Sequence, residues 1–187
     1  PNRLSTRLSA LDPRTEKLMT PRGTGAAGSE AIRWLESNIG MDVSMKVTFY
    51  PDLYATTSLS NPYTKNNGYI ALFTDEELLF IKAEAQYWGG DKTAAYQTTK
   101  NAVLRNFARF NIKEPVQAVD GTNAVRRYQL FFDVRLPGPS TFSIADLMQQ
   151  KYIAMYLQPE QWNDMRRYNY SSKTNGIKYD DVAVYTI

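Results

Sequence analysis

Cysteine and histidine are both absent from this 187-residue chain. Without cysteine, the chain can form no disulfide and offers no thiolate nucleophile. Without histidine, it lacks the imidazole on which Ser-His-Asp and Cys-His catalysis depend, and which nearly all zinc sites use. Among hydrolases, the composition leaves open a class that works with carboxylates alone, such as a glycosidase.

Long apolar runs are also missing, since no stretch approaches the roughly 18 residues of a membrane-spanning helix. The sequence contains no signal peptide and no N-terminal cysteine for lipid attachment. It begins at Pro1 without a methionine, so we expect further sequence upstream.

Concentrated positive charge is scarce as well. The net charge is +3, and the basic residues are scattered apart from the adjacent pairs Arg126-Arg127 and Arg166-Arg167. Binding to nucleic acid needs lysine and arginine gathered on one face. We therefore predict no nucleic-acid partner.

The clearest helical signals lie in residues 74–110. Thr74 and Glu77 have the spacing of a capping box at a helix start. Gly89-Gly90 ends this helix, because glycine accepts the left-handed backbone conformation that follows many helices. Apolar residues recur between them at helical spacing and form the predicted inner face, with Trp88 in the core: Leu78, Ile81, Ala85 and Trp88.

A second helix follows at once, with Asp91 as its N-cap. So short a connection predicts that the two helices pack as an antiparallel hairpin. The inner positions of the second helix are apolar or small: Ala95, Thr99, Val103, Phe107 and Phe110.

The flanking regions are less regular. Residues 1–73 are rich in turn formers, with one short helix predicted at 29–36 and a strand at 45–50. Residues 111–142 are predicted to be irregular, although 126–136 fits either a strand or a short helix. In residues 143–187, Ser143 begins a third helix and Pro159 a short fourth helix. One helix pair cannot bury its own apolar face, so we expect a single incomplete domain, part of a larger α domain.

Several motifs in this order resemble those of the SusD/RagB family of outer-membrane glycan-binding lipoproteins. "EELLFIKAEA" (76–85), followed by a Gly-rich turn, is similar to one family stretch. "QKYIAMYLQPEQWNDMRRYNY" (150–170) is similar to another, with its Gln-Lys, Glu-x-Trp and Arg-Arg-x-x-Tyr. "LDPR" (11–14) is like a third, upstream motif. The resemblance covers about a third of the chain closely, and places it in the C-terminal portion of these proteins.

The resemblance implies a mainly α fold of tetratricopeptide-like helix pairs, with long irregular loops and little β structure. It implies a lipoprotein on the outer surface of a Gram-negative bacterium, held by an N-terminal lipid anchor that this chain lacks. The expected partners are a glycan ligand and a SusC-like TonB-dependent transporter, whose mouth the protein covers as a lid during nutrient uptake. No cofactor and no catalysis are implied.

Aromatic side chains in the loop-rich region are the candidate ligand contacts. A sugar ring has a C–H face that stacks on an aromatic ring and an edge of hydroxyls that needs hydrogen-bonding partners. We predict the rings to be Trp34, Tyr50, Tyr54 and Tyr63, and the amide partners to be Asn61, Asn66 and Asn67.

The motif residues themselves are predicted to be structural, because they recur across a family whose ligands vary. These residues are Glu77, Glu84, Trp88, Trp162, Arg166 and Arg167. We expect the arginine pair to stack on aromatic rings and pair with helix carboxylates. We assign no catalytic and no metal-binding residue.

Two other functions remain open at this point. The chain could belong to a tetratricopeptide-like module that binds a protein or peptide, which upstream repeats of about 34 residues would indicate. It could also belong to a carboxylate-dependent glycosidase, which needs two carboxyl groups across a cleft roughly 5 to 10 Å apart.

Overall fold

The structure is a computed structural model that describes residues 12–14, 71–112, 116–119, 123–136 and 138–185. The chain divides into two compact units, Pro1–Ile70 and Ala71–Ile187. In the first unit, Arg14 pairs with the Asp12 carboxylate at 2.7 Å, and both side chains are buried. The helix and strand predicted at 29–36 and 45–50 lie outside the described residues.

The described part of the chain is mainly helical, as the sequence predicted, and contains little β structure. Its second unit begins with a hairpin of two helices, α1 (Asp75–Trp88) and α2 (Lys92–Arg109). A short antiparallel pair of strands follows, β1 (Val116–Val119) and β2 (Asn123–Arg126). Three further helices complete it: α3 (Arg127–Arg135), α4 (Ile144–Ala154) and α5 (Glu160–Arg167).

Helix α1 begins at the predicted residue. The Thr74 hydroxyl accepts a hydrogen bond from the Glu77 backbone N–H at 3.2 Å, which satisfies one of the free donors of the first turn. Asp75, Glu76 and Glu77 place three acidic side chains in this turn, where the helix dipole favours negative charge. The predicted N-terminus is therefore correct.

The turn between α1 and α2 is a Schellman motif. Gly90 has φ +90° and donates to the Tyr87 carbonyl at 3.1 Å, and the Asp91 N–H donates to the Gln86 carbonyl at 3.0 Å. Asp91 then caps α2 by accepting from the Ala94 N–H at 2.8 Å. A side chain at position 90 would strain this left-handed backbone, so the glycine there is required by the turn.

Helices α1 and α2 are antiparallel. Arg109, at the end of α2, binds the Glu76 carboxylate at the start of α1, with one N···O distance of 2.7 Å, and reaches Asp75 at 3.3 Å. The inner face predicted for α2 is confirmed, since all five of its residues are buried: Ala95, Thr99, Val103, Phe107 and Phe110.

An aromatic cluster joins α2 to α3. The Phe107 ring lies 5.0 Å from the Tyr128 ring, 5.4 Å from Phe131 and 6.4 Å from Phe132, measured between centroids. Residues 127–135 form a helix, whereas the sequence fitted either a strand or a short helix at 126–136. Positions 128, 131 and 132 have helical spacing, so they face α2 together. Together with the strand pair, this helix makes residues 111–142 more regular than the sequence predicted.

Helix α4 packs against both α1 and α2. A complete capping box starts it, since the Asp146 carboxylate accepts from the Ser143 N–H at 2.9 Å and the Ser143 hydroxyl accepts from the Asp146 N–H. Ile144, Leu147 and Ile153 are fully buried in this interface. Helix α5 follows with Pro159 at its N-cap position, close to the predicted start.

The face that α1 turns inward differs from the predicted one. Leu78 is 55% exposed, Ile81 44% and Trp88 49%, so the expected inner stripe lies at the surface and Trp88 is not a core residue. A second stripe at helical spacing is buried instead, and it consists of Phe80, Ala83, Glu84 and Tyr87. This stripe contains a glutamate, which hydropathy assigns to the surface and which only a partner elsewhere in the chain makes acceptable inside.

Single substitutions on α1 test which face is buried. Phe80→Ala should destabilise the fold by about 3–5 kcal/mol, because it empties a fully enclosed position. Leu78→Ala, on the exposed stripe of the same helix, should cost less than about 1 kcal/mol. Urea unfolding of both variants, followed by circular dichroism, gives the two values. Equal losses, or a larger loss for Leu78→Ala, would contradict the burial of the Phe80 face.

Candidate functional site

The predicted ligand-binding residues lie outside the described part of the chain. This holds for all seven: Trp34, Tyr50, Tyr54, Asn61, Tyr63, Asn66 and Asn67. Their role stays a prediction. The motif residues of the second unit, in contrast, are described, and several of them meet in one network.

The centre of this network is the carboxylate of Glu84, which α1 carries on its buried face. Arg167, at the end of α5, binds both carboxylate oxygens, with Nη2 to Oε2 at 2.9 Å. The Tyr168 hydroxyl donates to the same carboxylate. The Trp88 indole N–H in turn donates to the Tyr168 hydroxyl at 3.1 Å. Side chains 80 to 84 positions apart in sequence are thereby joined in one hydrogen-bonded chain.

A second carboxylate extends the network to α4. Asp164 accepts from Arg167 Nη2 at 2.7 Å, and its other oxygen pairs with Lys151 Nζ at 2.7 Å. Lys151 is 3% exposed and Asp164 is 7% exposed. Charges this deeply placed need partners, because burying a lone ion costs several kcal/mol. The network therefore holds α1, α4 and α5 together through mutually dependent charges.

The network changes the protonation behaviour of its own members. Burial, and then the hydrogen bond to Glu84, raise the pKa of Tyr168, so this hydroxyl remains a donor. The hydrogen bond to Glu84 is also the main cause that raises the pKa of Arg167. Burial is the main cause that raises the pKa of Tyr185, whose ring centroid lies 6.4 Å from that of Tyr168.

An open cleft of about 390 Å³ lies beside this network. Helix α1 contributes one wall and helices α4 and α5 contribute the other. Its lining combines apolar and charged side chains: Ile81, Glu84, Ala85, Trp88, Lys151, Glu160, Asp164 and Arg167. The Trp88 indole is half-exposed and lines this cleft, although the sequence predicted Trp88 in the core.

The two arginines of the pair differ in role. Arg167 is paired with carboxylates and lies 4.8 Å from the Tyr168 ring centroid, as the sequence predicted for the pair. Arg166 is exposed and lies outside the network. Trp162 is 57% exposed and contacts the Tyr170 ring edge-on at 5.6 Å.

Sequence reasoning missed Lys151, Asp164 and Tyr168 as members of the network. Asp164 and Arg167 are three positions apart on one helix, a spacing that allows an ion pair and could have indicated Asp164 but not Lys151, which lies on another helix. Nothing local could have indicated Tyr168, because its partners Glu84 and Trp88 come from a distant helix.

Two further features of the described residues bear on the site. They include no group of three acidic side chains placed to hold a metal ion. None of the helices described here combines the length and the apolar character needed to cross a membrane.

Comparisons of the chain with protein-family models, with curated proteins and with solved structures find no match.

The network can be tested through the arginine pair. Arg167→Ala removes the cation that binds Glu84 and Asp164, so it should destabilise the fold by about 1.5–3 kcal/mol. Arg166→Ala is the matched control, with the same loss of charge at an exposed neighbouring position, and should change stability by less than about 0.5 kcal/mol. Urea unfolding compares the two, and similar losses would show that the network does not stabilise the fold.

Glu77 makes the stability of the fold depend on pH. Burial raises its pKa above the ordinary value of 4.5, partly opposed by a hydrogen bond from the Thr74 backbone. A raised pKa means that the folded state holds this proton more tightly than the unfolded chain does. The resulting stabilisation is present below pH 4.5 and is lost as the pH rises through the folded-state pKa.

The variant Glu77→Gln isolates this effect, because glutamine keeps an acceptor at the third helical position but does not titrate. We expect the parent chain to lose stability relative to Glu77→Gln as the pH rises above 4.5. Urea unfolding of both proteins across the pH range measures the difference. A difference that does not change with pH would contradict the raised pKa.

Proposed function

We propose that this chain is the C-terminal portion of a SusD/RagB-type protein that binds glycans without breaking them. In this proposal, the helices of the second unit are a frame, and the aromatic side chains of residues 34–69 recognise the sugar. Stacking on rings such as Tyr50 and Tyr54, and hydrogen bonds from amides such as Asn61, provide the affinity.

The observation that carries the proposal is the contact among the motif residues. Two of the three stretches that resemble the family supply members of one network: Glu84 comes from the first, and Lys151 and Arg167 both come from the second. Glu84 and Lys151 are buried, and each needs an oppositely charged partner, which Arg167 and Asp164 supply. Residues that depend on one another in this way are expected to occur together, which supports the resemblance as more than a chance similarity of separate short motifs.

The helical hairpin also supports the proposal. Helices α1 and α2 are antiparallel and joined by a tight turn, as in the tetratricopeptide-like pairs that the resemblance implies. We propose that the hairpin is one such pair and that further pairs belong to the complete α domain. Helical pairs in such arrays present extended surfaces and leave specific recognition to variable loops.

The location and partner follow from the same resemblance. We place the protein at the outer surface of a Gram-negative bacterium, held by a lipid anchor upstream of this chain. There it would deliver glycans to a SusC-like TonB-dependent transporter by covering the transporter's mouth.

Glu84 and Asp164, two of the three carboxylates at the described cleft, do not fit the acid and nucleophile of a glycosidase. Glu84 and Asp164 are both ion-paired to the same guanidinium of Arg167. A glycosidase needs one carboxylic acid that gives its proton to the leaving group and a second carboxylate that acts on the sugar. Two carboxylates bridged by one arginine do not provide that division of roles.

Calorimetric titration with a panel of neutral oligosaccharides and polysaccharides tests the proposed function. At least one glycan should bind, and Tyr50→Ala, Tyr54→Ala or Tyr63→Ala should each weaken the binding by roughly 0.5–1.5 kcal/mol. The matched Tyr→Phe variants should retain most of the affinity, because they keep the ring. Failure of every glycan to bind would refute the proposal, and release of shorter products would point to a hydrolase.

A further inference from the structure

The Trp88 indole is exposed but held in place. It is 49% exposed, yet its N–H donates to the Tyr168 hydroxyl at 3.1 Å, and the Tyr87 ring packs against it edge-to-face at 5.2 Å. Tyr168 is itself fixed by Glu84. The polar edge of the indole is thus occupied, and what it presents to solvent is apolar ring surface. A ring ordered before binding loses little entropy when a ligand stacks on it.

The cleft beside this ring has two chemically distinct walls. Ile81 and Ala85 continue the apolar surface of Trp88 along α1. On the other side, Arg167 and Glu160 line the cleft, and Arg167 is half-exposed. The volume of about 390 Å³ falls at the lower end of the range of about 300–1,000 Å³ typical of ligand pockets.

The charges of the cleft largely compensate one another. Its three carboxylates are Glu84, Glu160 and Asp164, and its two cations are Lys151 and Arg167. The buried members are paired with each other, so the cleft has no free cation cluster for a phosphate or other anion. The guanidinium of Arg167 nevertheless has N–H donors beyond those used in its pairs, and Glu160 has carboxylate oxygens that accept.

A neutral ligand with one apolar face and a hydroxylated edge matches these walls. We propose that the cleft is a saccharide subsite, in which one pyranose ring stacks on Trp88 and its hydroxyls face Glu160 and Arg167. The choice of a saccharide rests on the proposed function, whereas the residues are distinct from the predicted ligand contacts at 34–69. The chain would then have two separate regions that contact saccharides.

Tryptophan fluorescence tests the subsite directly. The chain has three tryptophans, so a Trp34→Phe/Trp162→Phe background leaves Trp88 as the sole indole. Titration with cellohexaose, maltohexaose and xylohexaose should produce a saturable change in its emission for at least one of them. Ala85→Gln, which places a longer side chain in the cleft without touching the network, should weaken that response about tenfold. Leu78→Ala, on the same exposed stripe but outside the cleft, should leave it unchanged.

Calorimetry on the parent chain and on Trp88→Ala completes the test. Trp88→Ala should lower the affinity for the responding hexaose about tenfold, while Trp88→Phe, which keeps a ring, should retain most of it. An unchanged affinity in Trp88→Ala would overturn the subsite. A response to a lysine-rich peptide but to no saccharide would overturn it as well.

The outcomes separate the subsite from the proposed function. If Tyr54→Ala weakens saccharide binding and Trp88→Ala does not, the subsite fails and the proposed function stands. If only Trp88→Ala weakens it, the subsite stands and the recognition assigned to 34–69 fails. If no saccharide binds, both fail.

Discussion

The bidentate pairing of Arg167 with the Glu84 carboxylate is the interaction that joins α5 to α1 and makes a buried carboxylate possible on α1. A carboxylate inside a helical frame is unfavourable unless a cation and further donors surround it. Arg167 and Tyr168 supply both, and they come from the end of α5 and the residue after it. The position of α5 against α1 is therefore a condition for burying Glu84.

The burial of Glu84 goes together with the exposure of another face of α1. Once the face with Phe80 and Glu84 lies inside, the stripe with Ile81 and Trp88 lies at the surface about a third of a turn away. The apolar wall of the cleft is thus the face of α1 that remains outside when the Phe80 face is buried. Its ring is held by the same network, since Trp88 donates to Tyr168 and Tyr168 donates to Glu84. Framework and candidate subsite share one set of hydrogen bonds.

The side chains of the network differ in whether they can contact a ligand. Glu84, Asp164 and Lys151 are buried and each is ion-paired, Glu84 with Arg167 and Asp164 with Lys151, so they act on the fold and have little to offer a ligand. Trp88 and Arg167 belong to the same network but remain about half exposed, so they can act on both. A motif residue that stabilises the fold can therefore also contact a ligand, because one part of its side chain can be held by the network while another part is exposed.

Local signals in the sequence determined the ends of the helices. The Thr74, Asp91 and Ser143 caps and the Gly90 turn use only atoms within a few residues, so their chemistry is visible without any tertiary structure. The inner face of α2 could also be predicted from the sequence, since its buried positions are apolar or small. For these reasons the helical hairpin was predicted correctly in both extent and direction.

Tertiary structure alone decided which face of α1 is buried and which residues form the cleft. Both stripes of α1 repeat at helical spacing, and the more apolar one lies outside, while the buried one includes a glutamate whose partner is on a distant helix. Periodicity shows which residues share a face of a helix, and hydropathy shows which face is more apolar. Neither predicts that Arg167 will lie beside Glu84. A buried charge is stabilised by a contact between residues far apart in the chain, and such a contact exists only in the folded molecule.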